Sequence, residues 1–238
     1  MKTMASAMVY LAATWGASAN ATSYLITAAG NYTQAGLVPY TLCVTAPAWP
    51  CTNYTSTQSV SGHFTVPTVL AADLDKVSIA GMVGAFSFTD GINTYASSDT
   101  HARVLVFSVT TDPGGNLSAA QISVQKWLPD TSPHNPGDRL SFFYIDGTAA
   151  YAVNNSLCDR LGTSSVGTVD SCNRFFMDSS HSEGHQAAVA YAFTPDANPA
   201  PIPTLSEWGM IILAGVLAMG GFVGMRRGPA VGTIRTRV

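Results

Sequence analysis

The stretch VLVFSVTTDPGGNLSAAQISVQKW, residues 104–127, decides the fold class of this chain. Two short runs rich in β-branched and aromatic residues flank the segment Asp112–Asn116. This segment contains Pro-Gly-Gly, which favours a turn between the two runs. Runs of this composition, separated by Gly and Pro, are typical of two antiparallel strands joined by a tight connection. The stretch therefore predicts a β-hairpin.

The same pattern occurs three more times along the chain. Residues 140–145 lead through Asp146-Gly147 into residues 149–153, and residues 86–89 lead through Asp90-Gly91 into residues 92–95. A fourth hairpin is predicted between residues 173–177 and 186–193, with residues 178–185 at its tip. Four hairpins of short strands predict an all-β ectodomain over residues 22–193, folded as a β-sandwich or an open barrel of antiparallel hairpins.

Composition agrees with a β-rich exported domain. The chain has 238 residues, which is enough for one domain with a sizeable core, and only 11% of them are charged. Residues 20–204 contain 13 acidic and 6 basic side chains, a net charge of about −7. An acidic body repels phosphate backbones, so nucleic acid is not an expected partner.

Four cysteines form two close groups in the sequence. Cys43 lies near Cys51, and Cys158 lies near Cys172, with a loop rich in Pro, Gly, Ser or Thr between the members of each pair. The spacing differs from the C-x-x-C of zinc ribbons and thioredoxin-like sites and favours two local disulfides, with free buried thiols as the alternative.

Residues 1–21 predict a signal peptide. Lys2 supplies a positive start, a short apolar run follows, and small residues end the segment, so cleavage after Ala19 and cleavage after Ala21 fit equally well. The export translocon is then an expected partner. A buried N-terminal helix is the alternative.

The C-terminal segment has three ordered parts. A Pro-rich linker at residues 194–201 precedes a short motif, an apolar run at residues 210–225 and a basic pair. The apolar run with the two residues before it would form a helix of about 27 Å, close to the roughly 30 Å of a hydrocarbon layer. The basic pair would stay in the cytoplasm together with the tail at residues 228–238, so the helix would be N-out and C-in. The alternatives are an ordinary membrane anchor and a buried helix. The motif and the membrane-orienting pair consist of Ile202, Pro203, Thr204, Leu205, Trp208 and Gly209, followed by Arg226 and Arg227.

This arrangement over residues 202–227 resembles the IPTL-CTERM sorting domain, a relative of PEP-CTERM tails. The resemblance implies recognition by an exosortase-like membrane transpeptidase with a catalytic cysteine, which cuts near the motif and passes the protein to the cell surface or the extracellular matrix. It also implies a precursor held in the inner membrane until that cut. The extension at residues 228–238 departs from the pattern, because such tails usually stop soon after the basic pair. Residues 61–91 resemble, more loosely, ectodomains found ahead of PEP-CTERM tails.

His181, Glu183 and His185 are weak candidates for a metal site. Their order matches neither H-E-x-x-H nor H-x-x-E-H, although alternation in a strand would place all three on one face. No cofactor and no catalytic residue is predicted, since no G-x-S-x-G elbow or other converging motif is present. A secreted hydrolase using these three residues is retained as an alternative. Three loop acids could contribute oxygens to calcium, but their spacing does not match an EF-hand loop, so they are predicted to be polar loop residues: Asp159, Asp170 and Asp178.

Several aromatic residues could form a sugar-stacking platform if they shared an exposed face, although aromatic residues more often fill a core. They are Trp49, Tyr54, Trp127, Tyr144 and Tyr151. The leading hypothesis is an exported surface or matrix protein without catalytic activity. A carbohydrate-binding module that takes exopolysaccharide as its partner is the alternative.

Overall fold

A computed structural model describes residues 21–43 and 51–194. Three predicted features therefore lie outside the described residues: the signal peptide apart from Ala21, the segment from Pro195 onward, and Trp49. The segment from Pro195 onward includes the predicted sorting motif, transmembrane helix, basic pair and cytoplasmic tail.

The described residues form strands and connecting turns, as predicted. Their one helical element is a 3-10 turn at Gln34–Gly36, and within these ranges no helix is long and apolar enough to span a membrane. In chain order the strands are β1 Thr22–Ala28, β2 Ser61–Val66, β3 Val77–Ser78, β4 Ala85–Thr89, β5 Thr94–Ala96, β6 Ala102–Thr111, β7 Leu117–Trp127, β8 Arg139–Gly147, β9 Ala149–Gly162, β10 Ser171–Phe176, β11 Ser182–Gln186 and β12 Val189–Thr194.

The strands form two antiparallel sheets. The five-stranded sheet has the order β12-β1-β2-β4-β5. The seven-stranded sheet has the order β10-β9-β8-β7-β6-β3, and β11 adds to the same edge of β9 as β10 does. The 14 residues of β9 are long enough to pair with β11 through their first part and with β10 through their last.

A single aromatic-rich core joins the two sheets. Alternate residues of each strand point to the same side, so one face of each sheet can be apolar. Phe64 and Phe88 of the five-stranded sheet meet Phe107 and Phe143 of the seven-stranded sheet, with ring centroids 5.1 Å apart in both the Phe64–Phe107 and the Phe88–Phe143 pair. These four rings are almost fully buried. The two sheets therefore pack face to face.

Three of the four predicted hairpins are confirmed: β6–β7, β8–β9 and β4–β5. The fourth prediction is wrong. β10 and β11 do not pair with β12; both pair with β9, while β12 pairs with β1 near the start of the chain. Residues 182–185 accordingly belong to a strand and not to a hairpin tip.

Both predicted disulfides are present, Cys43–Cys51 and Cys158–Cys172. The second is buried in a small apolar cluster on the outer face of the seven-stranded sheet, where it packs with Trp127, Leu140 and Phe142. This cluster joins the end of β9 to the start of β10.

Candidate functional site

The outer face of the seven-stranded sheet carries an aromatic row that crosses three strands. Tyr144 of β8 lies directly opposite Tyr151 of β9, which lies directly opposite His185 of β11. Residues paired across antiparallel strands share a face. Phe143 and Ile145, on either side of Tyr144, point into the core, so Tyr144 and its partners point outward.

Glu183 connects the two histidines that the sequence singled out. Its Oε1 accepts a hydrogen bond of 2.8 Å from Nε2 of His181, and its Oε2 accepts one of 3.3 Å from Nε2 of His185. Glu183 and His185 lie on one face of β11 because they are two residues apart, and His181 immediately precedes the strand.

The contacts of His181, Glu183 and His185 differ from those of metal ligands. Zinc ligands lie about 2.0–2.2 Å from the ion, and their donor atoms point at a common centre. Here each Nε2 points at an oxygen of Glu183, and Nδ1 of His181 faces the backbone oxygen of Asp178. In the part of the chain that the structure describes, no group of three or more His, Cys, Asp or Glu side chains is arranged to hold a metal ion.

Tyr151 lies in the middle of the row. Its ring centroid is 4.5 Å from that of His185, and its hydroxyl donates to Sδ of Met177 at 3.5 Å. Burial raises the pKa of Tyr151, and the nearby Glu183 carboxylate raises it further. The hydroxyl is therefore neutral at physiological pH. The ring planes of Tyr151 and His185 are inclined by 46°, so the two rings form adjoining aromatic surfaces.

A cleft of about 310 Å³ opens beside Tyr151 and His185. The alanines at 149 and 187 line it with small side chains, while Asp146 and Thr33 contribute polar groups. Its volume is at the lower end of the range found for small-molecule sites, about 300–1,000 Å³. The cleft and the aromatic row together form the candidate site.

The aromatic residues predicted to form a sugar-stacking platform do not share one face. Tyr54 and Trp127 are buried, at 4% and 1% exposure, so they cannot stack on a ligand. Tyr144 and Tyr151 are brought together on the outer face, and His185 joins them. The sequence prediction omitted His185 from the aromatic set because the pairing of β11 with β9 is not visible in a local pattern.

Each of the three loop acids Asp159, Asp170 and Asp178 is paired with a basic side chain. Asp159 pairs with Arg174, and Asp178 pairs with Arg139. Oδ2 of Asp170 accepts hydrogen bonds from Arg103 Nη2 at 3.0 Å and His134 Nδ1 at 2.7 Å. These acids therefore anchor loops and strands by ion pairing.

Comparison with known proteins bears on the C-terminal segment alone. No curated protein and no solved structure matches the chain. The family model for the IPTL-CTERM motif matches residues 200–227, two residues more at the N-terminal side than the sequence analysis predicted. Residues 200–227 of this chain are an IPTL-CTERM motif, which implies a C-terminal sorting signal for processing by an exosortase.

Proposed function

We propose that this chain is an exported bacterial surface or extracellular-matrix protein that acts without catalysis. Its signal peptide directs it to the export translocon, and its apolar C-terminal helix then holds the precursor in the inner membrane. An exosortase-like enzyme cuts near residues 202–209 and releases the β domain to the cell surface or the matrix.

The observation that carries this proposal is the IPTL-CTERM motif at residues 200–227. The parts of the motif suit the proposed step. Proline disfavours a helix, so Pro201 and Pro203 suit a segment that a membrane enzyme must reach before the apolar run begins. Arg226 and Arg227 favour the cytoplasmic side and so fix the orientation.

The described domain supports an extracytoplasmic destination. Both cysteine pairs form disulfides, Cys43–Cys51 and Cys158–Cys172. Disulfides persist in oxidising compartments and are rare in the cytosol of mesophiles. The small number of lysines and arginines in the body also suits a surface exposed outside the cell better than one that binds nucleic acid.

His134 and its partner Asp170 do not match the arrangement of a hydrolytic triad. Its ring stacks on Trp127 with centroids 4.2 Å apart, and its Nδ1 is bound by Asp170. A Ser-His-Asp triad needs the other ring nitrogen to face a hydroxyl nucleophile. Nε2 of His134 faces the backbone oxygen of Pro129 at 3.4 Å instead. The pair is better suited to anchoring a loop, and a panel of ester, peptide and glycoside substrates should give no turnover.

The sorting step is tested by expressing the full chain in one bacterial host with an active exosortase, and in the same host with the exosortase's catalytic cysteine replaced. Intact-mass measurement should show loss of the C-terminal segment in the first case alone. Replacing Pro203 and Trp208 together by alanine should block the loss, whereas Pro195→Ala, upstream of the motif, should leave it unchanged. An uncut tail beside the active enzyme, or equal cutting beside the inactive one, would contradict the proposal.

A further inference from the structure

We infer that the aromatic row of Tyr144, Tyr151 and His185, together with the cleft beside it, binds a neutral polysaccharide. This inference deepens the proposed function and rests on it, since a protein delivered to the surface or matrix meets such polymers there. The ligand class follows from the shape, chemistry and charge of this face.

The row has the form of a stacking platform. Neighbouring strands lie about 4.7–4.9 Å apart, so side chains opposite one another on β8, β9 and β11 follow each other at that interval. The ring centroids of Tyr151 and His185 are 4.5 Å apart. Pyranose rings present C–H groups on their faces and hydroxyls at their edges. Adjoining aromatic rings on successive strands therefore offer separate apolar contacts to successive sugar units of one polymer chain.

The cleft supplies hydrogen-bonding groups at the edge of that surface. The carboxylate of Asp146 lies on its border, held at Oδ1 by Nε2 of Gln121 at 3.0 Å, and Thr33 borders it from the other side. The small side chains of Ala149 and Ala187 leave room for one bulky group. A sugar unit resting on Tyr151 would thus place its edge hydroxyls beside fixed acceptors and donors.

Charge selects against anionic polymers. The acids Asp146 and Glu183 lie next to the row, whereas Arg139 begins β8 and Arg160 lies near the end of β9, both several residues along their strands from it. A uronic-acid polymer would bring like charge to this face. A neutral glycan has no such penalty.

Glu183 acts as a positioning residue for the platform. It bridges the Nε2 atoms of His181 and His185, so the imidazole of His185 is fixed beside Tyr151 before a ligand arrives. Holding a contact group in its bound geometry lowers the entropy cost of binding. Glu183→Gln should therefore weaken binding less than loss of either ring does.

The test is affinity gel electrophoresis of the full chain, in gels that contain hydroxyethyl cellulose, laminarin, galactomannan or alginate. The wild-type protein should be retarded by at least one of the three neutral polymers and not by alginate. Tyr151→Ala should weaken that retardation by about tenfold or more. His185→Ala should act in the same direction, and its side chain is about half exposed, at 51%, so the fold should tolerate the change.

Phe176→Ala is the matched control, because Phe176 is an exposed aromatic residue outside the row, at 60% exposure. It should leave retardation unchanged. Absence of retardation by all three neutral polymers, or retardation that survives both Tyr151→Ala and His185→Ala, would overturn the inference. Tail removal by an active exosortase tests the sorting proposal independently, because neither Tyr151→Ala nor His185→Ala should alter it.

Discussion

At the scale of single residues, the turn residue Asp90 forms the centre of a buried hydrogen-bond network. Its carboxylate is fully buried and accepts five hydrogen bonds, from the hydroxyls of Tyr54 and Tyr95, the backbone amides of Ile92 and Asn93, and the side-chain amide of Asn93. Burial raises the pKa of both tyrosines, and the nearby Asp90 carboxylate raises it further, so they remain donors. The sequence indicated a turn at Asp90-Gly91, but local pattern could not show its tyrosine partners.

Tyr95→Phe should therefore destabilise the fold. The change removes a 2.6 Å hydrogen bond to a buried carboxylate, and hydrogen bonds to charged groups contribute about 1.5–3 kcal/mol. We expect a loss of that size in the free energy of unfolding, measured by urea denaturation. Tyr144→Phe, at a half-buried position on the outer face, controls for removal of a tyrosine hydroxyl and should cost less. Equal losses for the two variants would show that the Asp90 cluster contributes little.

Asp170 makes the fold sensitive to acid. Burial opposes its ionisation, but the hydrogen bonds from His134 and Arg103 outweigh that effect and hold the pKa of Asp170 below its usual value. Its ionised form therefore favours the folded state above about pH 4, the ordinary range of an aspartate. That contribution disappears as the pH falls through the lowered pKa.

Asp170→Asn should lower the melting temperature at pH 7, with a loss of about 1–3 kcal/mol in the free energy of unfolding. In this variant the melting temperature should also fall less steeply than in the wild type between about pH 5 and pH 3. Thermal melts across this range measure both effects. The control is Asp130→Asn, whose side chain is 94% exposed and whose melts should follow the wild type. An unchanged slope in Asp170→Asn would assign the acid sensitivity to other groups.

At the scale of secondary-structure elements, the local hairpins were predictable and the distant pairings were not. β6–β7 and β8–β9 are joined by turns whose Asp, Gly and Pro residues are plain in the sequence. β10 and β11 pair side by side with one long strand, β9, and β12 returns to β1. Such pairings depend on the whole sheet, so the short spacing of residues 173–193 favoured a hairpin that does not form.

The pairing of β2 with β4 can be tested at Gly62. A Cβ atom at this position would collide with the backbone oxygen of Ser87 and with the buried ring of Phe88. Gly62→Ala should cost about 1–3 kcal/mol because the pair must separate or the ring must move. Gly81→Ala is the control, since a Cβ there meets no atom within 4 Å. Chemical denaturation gives both values, and a neutral Gly62→Ala would contradict this register.

At the scale of the whole molecule, the chain combines a disulfide-bonded β domain with a C-terminal sorting motif. The all-β class followed from hairpin composition, and the motif followed from its ordered residues, because both are local properties of sequence. The candidate binding face did not follow, because Tyr144, Tyr151 and His185 become neighbours only when three strands pair. The sorting motif could therefore be predicted from the sequence, whereas the candidate binding face could not.

If export ends with removal of the tail, the intact mass of the mature protein recovered outside the producing cell should show it. The predicted product begins after Ala19 or Ala21, ends near residues 202–209, and holds its four cysteines as two disulfides. A secreted or surface protein that still carries residues 210–238 would contradict the account.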